Sequence, residues 1–325
     1  MSKRNIENKN SDIYLVSAII TTHNREPEIV VRAVKSVLKQ TYKNIELIVV
    51  DDSSSSYSLR AEVERSIRDL SDKIVYIKHE VSCGACVARN TGLRHSHGYY
   101  VGFLDDDDEW MPHKIEEQLK GFYDDRIAMV YSQIYFVDDI SGVKYLGKKF
   151  ARQAISGKIF EQLLKHNIVG PTSNPLIKKD CLDRVGGFDV LMESSQDYDL
   201  WIRIAMKYSI EYLDKPLLVY HLHSEYRISA DTDRRISGIK RINRKYSEYI
   251  NEDSDTWYMQ YIHLVPLYLK KYGRKKALIM WAKCVKRKPF SLNNIKRFGQ
   301  IVLGYDVYRV IRTFLANVYH RIRSC

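Results

Sequence analysis

Short apolar runs alternate with amphipathic stretches along the first third of the chain. Four runs have the length and composition of buried strands, and they cover residues 15–21, 45–50, 73–78 and 99–104. After the first run, apolar residues recur at the i, i+3, i+4 spacing of one buried helix face, and a proline suits the first helical turn. These residues are Pro27, Ile29, Val30, Ala33, Val34, Val37 and Leu38. The alternation predicts an α/β fold with a mostly parallel, Rossmann-like sheet flanked by helices.

Polar and acidic residues follow the ends of these predicted strands. Because the carboxyl ends of parallel strands meet at one edge of a sheet, the loops after them are where ligands collect. The residues concerned are Thr21, His23, Asn24, Arg25, Asp51, Asp52 and the four aspartates Asp105, Asp106, Asp107 and Asp108. The sequence therefore predicts a binding site at this edge.

The run of four aspartates favours a divalent cation. Mn²⁺ and Mg²⁺ prefer carboxylate oxygens and often share their coordination shell with substrate phosphates. Neighbouring carboxylates also repel one another unless a cation lies among them. No glycine-rich GxxxxGKS or GxGxxG phosphate loop occurs, which argues against a phosphate-loop ATPase and a dinucleotide-dependent oxidoreductase. A solvated acidic turn is the simpler alternative.

Charge is unevenly distributed along an otherwise ordinary globular composition. Residues 231–325 hold 21 Lys and Arg against 7 Asp and Glu, whereas the remainder holds 31 against 33. This basic region has a helical pattern, and residues 305–322 place apolar side chains among arginines, as in segments that lie in an anionic bilayer interface. We expect it to contact an anionic membrane surface, with a helical cap on the preceding domain as the alternative.

The cysteines and the first residues bear on the compartment. Residues 1–13 are polar and form an expected flexible leader without a secretion signal, and no run of about 18 apolar residues occurs. Five scattered cysteines suit a reducing compartment, and Cys83 and Cys86 lack the second pair that a zinc site needs, so we interpret them as packing residues. The expected location is cytoplasmic, peripheral on the inner face of the membrane.

Seven sequence blocks resemble the family 2 glycosyltransferases, which have an A-type nucleotide-binding (GT-A) fold. They occur in the order and spacing of that family over roughly residues 14–230. The blocks are Val16-Ser-Ala-Ile-Ile-Thr-Thr-His-Asn-Arg25, Ser36-Val-Leu-Lys-Gln-Thr41, Ile48-Val-Val-Asp-Asp-Ser53, Ala88-Arg-Asn-Thr-Gly92, Phe103-Leu-Asp-Asp-Asp-Asp-Glu-Trp110, Gly186-Gly-Phe-Asp189 and Gln196-Asp-Tyr-Asp-Leu-Trp-Ile-Arg203.

The resemblance implies a domain organisation and an activity. A GT-A domain would cover 14–230, with a nucleotide-binding half at 14–110 and an acceptor-binding half at 111–230, followed by the basic helical region 231–325. The implied activity is inverting transfer of a hexose or N-acetylhexosamine from a nucleoside-diphosphate sugar, expected to be UDP-linked, to an acceptor hydroxyl. The implied acceptor is a glycan or lipid-linked glycan of bacterial surface polysaccharide synthesis.

The resemblance also assigns site residues by their matching positions. Asp197 would accept the proton of the acceptor hydroxyl, and Asp107 and His223 would hold Mn²⁺ or Mg²⁺. The nucleotide would lie against Thr21, His23, Asn24, Arg25, Asp52, Arg89, Asp105 and Asp106. Two positions depart from the family pattern, because Gln196 stands where Glu is usual and His23 where Tyr is usual.

Two other functions are alternatives to glycosyl transfer. A sugar-phosphate nucleotidyltransferase also uses acidic metal sites on an α/β nucleotide domain, but its glycine-rich first loop is absent here. A nucleic-acid-binding protein would use the basic region, with a steep salt dependence of affinity, yet it leaves the aspartate loops unexplained. We therefore expect no nucleic-acid partner.

Overall fold

The chain divides into two compact units. A computed structural model describes residues 14–147, 153–222, 231–251, 254–304 and 307–308. The first unit comprises Met1–Leu163, Asn167–Leu191 and Gln196–Glu225, and the second comprises Leu164–His166, Met192–Ser195 and Tyr226–Cys325.

The first unit is built on one sheet, in which nine strands fall within the described residues. The strands are β1 (Val16–Thr22), β2 (Ile45–Asp51), β3 (Val75–Lys78), β4 (Tyr100–Asp105), β5 (Glu109–Trp110), β6 (Ile127–Asp138), β7 (Lys144–Leu146), β8 (Leu176–Lys178) and β9 (Ser209–Leu222). Their order is β3-β2-β1-β4-β8-β6-β9-β5, with β7 paired to β6.

The strands β3, β2, β1 and β4 are parallel, as the pattern of the sequence predicted. Each lies within two residues of its predicted run. The α/β fold with helices flanking the sheet is therefore confirmed. The rest of the sheet is mixed, because β8 runs antiparallel to both β4 and β6 while β6 and β9 are parallel.

Helices cover the sheet of the first unit. They are α1 (Pro27–Leu38), α2 (Arg60–Arg68), α3 (Ala85–Arg94), α4 (Lys114–Leu119), α5 (Phe160–Lys165), α6 (Lys179–Val185) and α7 (Gln196–Lys207). The last two residues of α5 are assigned to the second unit. Helix α1 buries Val30, Ala33, Val34 and Val37 in the core, as predicted, whereas Leu38 at its end is exposed. Gly92 lets α3 approach β1 closely, since a Cβ there would lie 2.4 Å from a methyl carbon of that strand.

The second unit is helical in its described residues. It contains α8 (Thr232–Lys245), α9 (Asp255–Arg287) and α10 (Leu292–Leu303), and Gly273, with a φ of 77°, interrupts α9. Ile236 of α8 packs with Leu264 and Leu267 of α9. None of the helices in the part of the chain described here combines the length and the apolar character that crossing a bilayer needs.

Candidate active site

The ends of β1 and β4 bring the first loop against the aspartate run. Thr21 pairs with Asp105 across the two strands, so the loop that follows β1 lies beside the loop that follows β4. Arg25 donates from Nε to Asp106 Oδ1 and from Nη2 to Asp107 Oδ2, both at 3.2 Å. The guanidinium therefore balances part of the charge of two neighbouring carboxylates.

The aspartate loop concentrates negative charge in a partly buried place. The pKa of Asp106 is raised to about 6, with burial as the largest cause; the charge of Arg25 lowers it and the charge of Asp107 raises it. Arg32 holds the loop from the other side by donating from Nη2 to the backbone carbonyl of Asp107 at 2.8 Å. A second cation would relieve this repulsion, and the clustered hard oxygen donors fit Mn²⁺ or Mg²⁺.

Arg89 joins the aspartate loop to the first turn of α7. It donates from Nη2 to Asp105 Oδ1 at 2.7 Å and from Nη1 to Gln196 Oε1 at 2.9 Å. Its guanidinium also lies 5.3 Å from the ring centre of Phe188. Gln196, which stands where Glu is usual in the sequence pattern described above, is therefore a neutral partner of Arg89. The carboxylate bonded to Arg89 is that of Asp105.

Asp197 lies beside this link, in the first turn of α7. Removal from water raises the pKa of its carboxyl to about 6, while the backbone N–H of Tyr198 and the charge of Arg89 act in the opposite direction. That N–H donates to Asp197 Oδ1 at 2.7 Å. A carboxylate with this pKa is ionised at neutral pH and is a stronger base than an ordinary aspartate, which suits proton acceptance.

Asp52, at the start of the loop after β2, accepts four hydrogen bonds. Its two carboxylate oxygens accept from the backbone N–H groups of Cys83 and Gly84, from the Ser82 hydroxyl and from His79 Nδ1, at 2.7 to 3.1 Å. A carboxylate offers about four acceptor positions. The Asp52 side chain thus fixes the 79–84 loop, and contact with a nucleotide base would replace one of these bonds.

His23 and Asn24, in the loop after β1, are hydrogen-bonded to the loop after β2. His23 donates from Nδ1 to the backbone carbonyl of Asp52 at 2.7 Å, and its side chain is exposed. Asn24 has a left-handed φ of 48°, which Asn tolerates better than most residues. Its backbone N–H donates to Ser53 Oγ at 2.9 Å, and its Oδ1 accepts from the Ser54 N–H at 3.0 Å.

Asp52, His79 and Cys83 form a second group that could hold a metal ion. One ligand atom of each lies within 4.8 Å of the others. This donor set suits zinc better than Mn²⁺ or Mg²⁺. In this structure, however, His79 donates to Asp52 and its other ring nitrogen is bonded to the Thr91 hydroxyl. From the sequence, Cys83 was interpreted as a packing residue and His79 was not singled out, although His79 follows β3 at the ligand edge of the sheet.

Asp108 links three segments behind the aspartate loop. The Ser173 hydroxyl donates to Asp108 Oδ2 at 2.6 Å and accepts from the backbone N–H of Asp105 at 3.0 Å. The His221 N–H on β9 donates to Asp108 Oδ1 at 3.3 Å. The pKa of Asp108 is raised well above its usual range, mainly by burial and then by the charges of Asp107 and Asp105. The sequence indicated Asp108 only as part of the run and gave no sign of its partner Ser173.

Neighbouring strands and the contacts above thus connect seven of the predicted residues, Thr21, Arg25, Arg89, Asp105, Asp106, Asp107 and Asp197. His223, the other predicted metal ligand, lies outside the described residues.

The sequence has relatives among glycosyltransferases of bacteria. It is 33% identical over 220 residues to the UDP-Glc:alpha-D-GlcNAc-diphosphoundecaprenol beta-1,3-glucosyltransferase WfgD of Escherichia coli, covering 67% of this chain and 79% of that protein. It is 29% identical over 254 residues to WcaA of Escherichia coli K12, which carries the name of a colanic acid biosynthesis glycosyl transferase. That alignment covers 74% of this chain and 84% of WcaA.

Solved structures share the fold at low sequence identity. The mannosyltransferase PcManGT of Pyrobaculum calidifontis, in complex with GDP-Man and Mn²⁺, superposes with a TM-score of 0.61 at 18% identity, over 93% of this chain and 84% of that one. TarS of S. aureus, in complex with UDP-GlcNAc, superposes with a TM-score of 0.57 at 16% identity, over 87% of this chain and 78% of that one. These likenesses confirm the GT-A fold.

The family follows from a match that spans more than half of the chain. The sequence model described as Glycosyl transferase family 2 matches residues 17–186, which include β1 to β4 and the aspartate loop. The chain is a glycosyltransferase and belongs to glycosyl transferase family 2.

Proposed function

We propose that the chain transfers a hexose or N-acetylhexosamine from a UDP-linked donor to a hydroxyl of a lipid-linked glycan, with inversion at the anomeric carbon. The observation that carries the proposal is the link from Asp105 through Arg89 to the first turn of α7, where Asp197 lies. It joins the aspartate loop, where a diphosphate would bind, to a carboxylate suited to proton acceptance. The proposed domain boundaries are 14–230 for the transferase, divided after 110, and 231–325 for the basic region.

The nucleotide would occupy the edge of the sheet between the first loop and the aspartate loop. Thr21, His23, Asn24 and Asp52 would surround the base, and Asp105 and Asp106 would meet the ribose. Arg25 and Arg89 would donate hydrogen bonds to the diphosphate, because guanidinium groups match phosphate oxygens in pairs.

Asp107 would hold the cation, with His223 as its second protein ligand. Mn²⁺ or Mg²⁺ bound there would supply positive charge that stabilises the departing diphosphate. Burial raises the pKa of Asp106 most, and the charge of Asp107 also raises it, so a cation bound at Asp107 would relieve part of this cost, which supports the assignment.

Asp197 would act as the base for the acceptor hydroxyl. The hydroxyl oxygen forms a bond to the anomeric carbon as the bond from that carbon to the diphosphate oxygen breaks, and Asp197 takes the hydroxyl proton. The electron pair of the broken bond leaves with the nucleoside diphosphate. Attack from the face opposite to the leaving group inverts the anomeric centre.

The proposed donor and acceptor draw support from WfgD, whose name gives UDP-Glc as donor and a GlcNAc-diphosphoundecaprenol as acceptor. UDP-glucose is therefore the first donor to test. A lipid-linked acceptor would place the chain at the inner face of the bacterial membrane, and surface polysaccharide synthesis would be its role. The segment first expected to contact the membrane, 305–322, is outside the described residues except for 307 and 308.

Calorimetric binding of UDP, GDP and dTDP, with and without Mn²⁺, tests the donor site. We expect UDP to bind in the presence of Mn²⁺ and Asp107→Asn to weaken that binding at least about tenfold. Asp125→Asn is the matched control, because Asp125 is fully exposed and lies outside the site. A folded wild-type chain that binds none of the three nucleotides would contradict the proposal, as would equal effects of the two variants.

A further inference from the structure

Helix α10 exposes most of its apolar side chains. Leu292 is 82% exposed and Ile295 is 70% exposed, and Phe298, Val302 and Leu303 are also exposed. At 100° per residue, these five side chains occupy one continuous face of the helix. Phe290, just before the helix, is 99% exposed and extends the same apolar surface along the chain.

The inward side of α10 buries one apolar side chain, Ile301, and is otherwise polar and hydrogen-bonded. Asn294 is buried and accepts from the Tyr258 hydroxyl at 3.0 Å, and its backbone carbonyl accepts from Trp281 Nε1 at 2.9 Å. Arg297 donates to the Ile262 carbonyl and to Gln300 Oε1. Hydrogen bonds to α9 and within α10 therefore fix which side faces inward, and the apolar face cannot be turned inward without breaking them.

Apart from Ile301, the apolar side chains are distributed in the reverse of the usual way, since a surface helix in a globular protein turns its apolar stripe to the core. Isolated exposed apolar residues are ordinary, but a continuous apolar face marks an interaction surface. We call the exposed side chains of Phe290, Leu292, Ile295, Phe298, Val302 and Leu303 the α10 apolar face.

The surrounding charge identifies the partner. Residues 254–304 contain 11 Lys and Arg and one acidic residue, Asp255. Lys283 and Lys286, in the last turns of α9, and Lys288 after it are exposed and precede the apolar face directly in the chain. Lys288 also donates to Asp255 Oδ1 at 2.7 Å. An apolar face that follows exposed lysines in the chain matches an anionic bilayer, where apolar groups enter the acyl boundary and lysines meet phosphate headgroups.

We propose that the α10 apolar face and the lysines before it form the docking surface of this chain on an anionic lipid bilayer. A second copy of the chain is a poorer occupant, because two such basic surfaces would repel each other. The inference goes beyond the proposed function, since it concerns the second unit and does not depend on which donor the site takes.

Vesicle co-sedimentation of the full-length chain tests the proposal. The probes are vesicles of phosphatidylcholine alone and of phosphatidylcholine with about 30% phosphatidylglycerol, at low and high salt. We expect binding to the anionic vesicles only, weakened by salt. The double variant Ile295→Asp with Val302→Asp should lower the partition coefficient at least about tenfold. Each of Lys283→Gln and Lys286→Gln should lower it about fivefold.

Ile140→Asp is the matched control, because Ile140 is 80% exposed on the first unit and receives the same substitution. It should bind vesicles as the wild type does. Absence of wild-type binding at low salt would overturn the proposal, and so would equal binding by the Ile295→Asp/Val302→Asp variant. A dimer in light scattering that this variant converts to a monomer, without vesicle binding, would assign the face to a second copy and also overturn it.

UDP binding measured on the same preparations separates this inference from the proposed function. A variant that keeps UDP binding and loses vesicle binding is folded and supports the docking surface. A wild-type chain that binds anionic vesicles through the α10 apolar face but binds no nucleotide would contradict the proposed function and leave this inference standing.

Discussion

Replacing Asp197 by Asn removes the proposed base while keeping its size and its position in α7. We expect kcat to fall by about 10²–10⁴ because a positioned base contributes a factor of this order. UDP affinity should change less than about twofold, since the contacts of Arg25 with the aspartate loop do not involve Asp197. Transfer rates with saturating donor and Mn²⁺, and calorimetry with UDP, measure the two quantities.

The pH profile of the wild type gives a sharper test of the same residue. With a pKa of about 6, raised by removal from water, Asp197 is about 90% ionised at pH 7 and about 10% at pH 5. The value of kcat should therefore fall about tenfold between pH 7 and pH 5. A carboxyl with the ordinary pKa of 3.8 would lose less than about a tenth over the same range.

The stability of the variant should move in the opposite direction to its activity. A folded-state pKa raised from 3.8 to about 6 means that the ionised form destabilises the fold at pH 7, by at most about 3 kcal/mol, and that this cost disappears below pH 4. Asp197→Asn should thus raise the urea midpoint at pH 7 but not at pH 4. Unchanged kcat in the variant, or a flat profile from pH 7 to pH 5, would refute the assignment of Asp197 as the base.

Three further predictions follow from single contacts. Arg89→Leu removes a charge that lowers the pKa of Asp197, so the acid limb of the kcat profile should move to higher pH; an unmoved limb in an active variant would contradict this. Asp108→Ala should lower kcat about tenfold by releasing Ser173, whereas Asp108→Asn keeps a partner for that hydroxyl and should restore most of the rate, and equal rates in both would count against a positioning role. Gly92→Ala should lower the free energy of unfolding by about 1–3 kcal/mol in urea titration, because its Cβ would meet β1 at 2.4 Å; unchanged stability would show that α3 can shift.

The parallel half of the sheet was predictable because β1, β2 and β4 are largely buried on both faces, although the edge strand β3 is partly exposed. Such strands are continuous apolar runs, and the residues after each run necessarily share one edge. That is why Thr21 and Asp105 could be placed in the same site from the sequence, and the strand register now pairs them. Asp52 was placed at the same edge, but its engagement with the 79–84 loop depends on the fold of a loop with no periodic pattern.

The links between distant segments were beyond sequence reasoning. Arg89 and Gln196 are 107 positions apart, and Ser173 and Asp108 are 65 apart, so their meeting depends on how the mixed half of the sheet pairs. The orientation of α10 was also unpredictable, because periodicity locates an apolar face without telling which side faces the core. Here the buried hydrogen bonds of Asn294 determine the orientation.

Release of nucleoside diphosphate from a panel of nucleotide sugars tests the central claim most directly. The panel is run with and without Mn²⁺ on the wild type and on Asp107→Ala, and nucleotide binding is read in the same samples. We expect slow, Mn²⁺-dependent release of UDP from one UDP-sugar and loss of this release in the variant. Metal-independent release that the variant retains, or a folded wild type that neither cleaves nor binds any member of the panel, would contradict it.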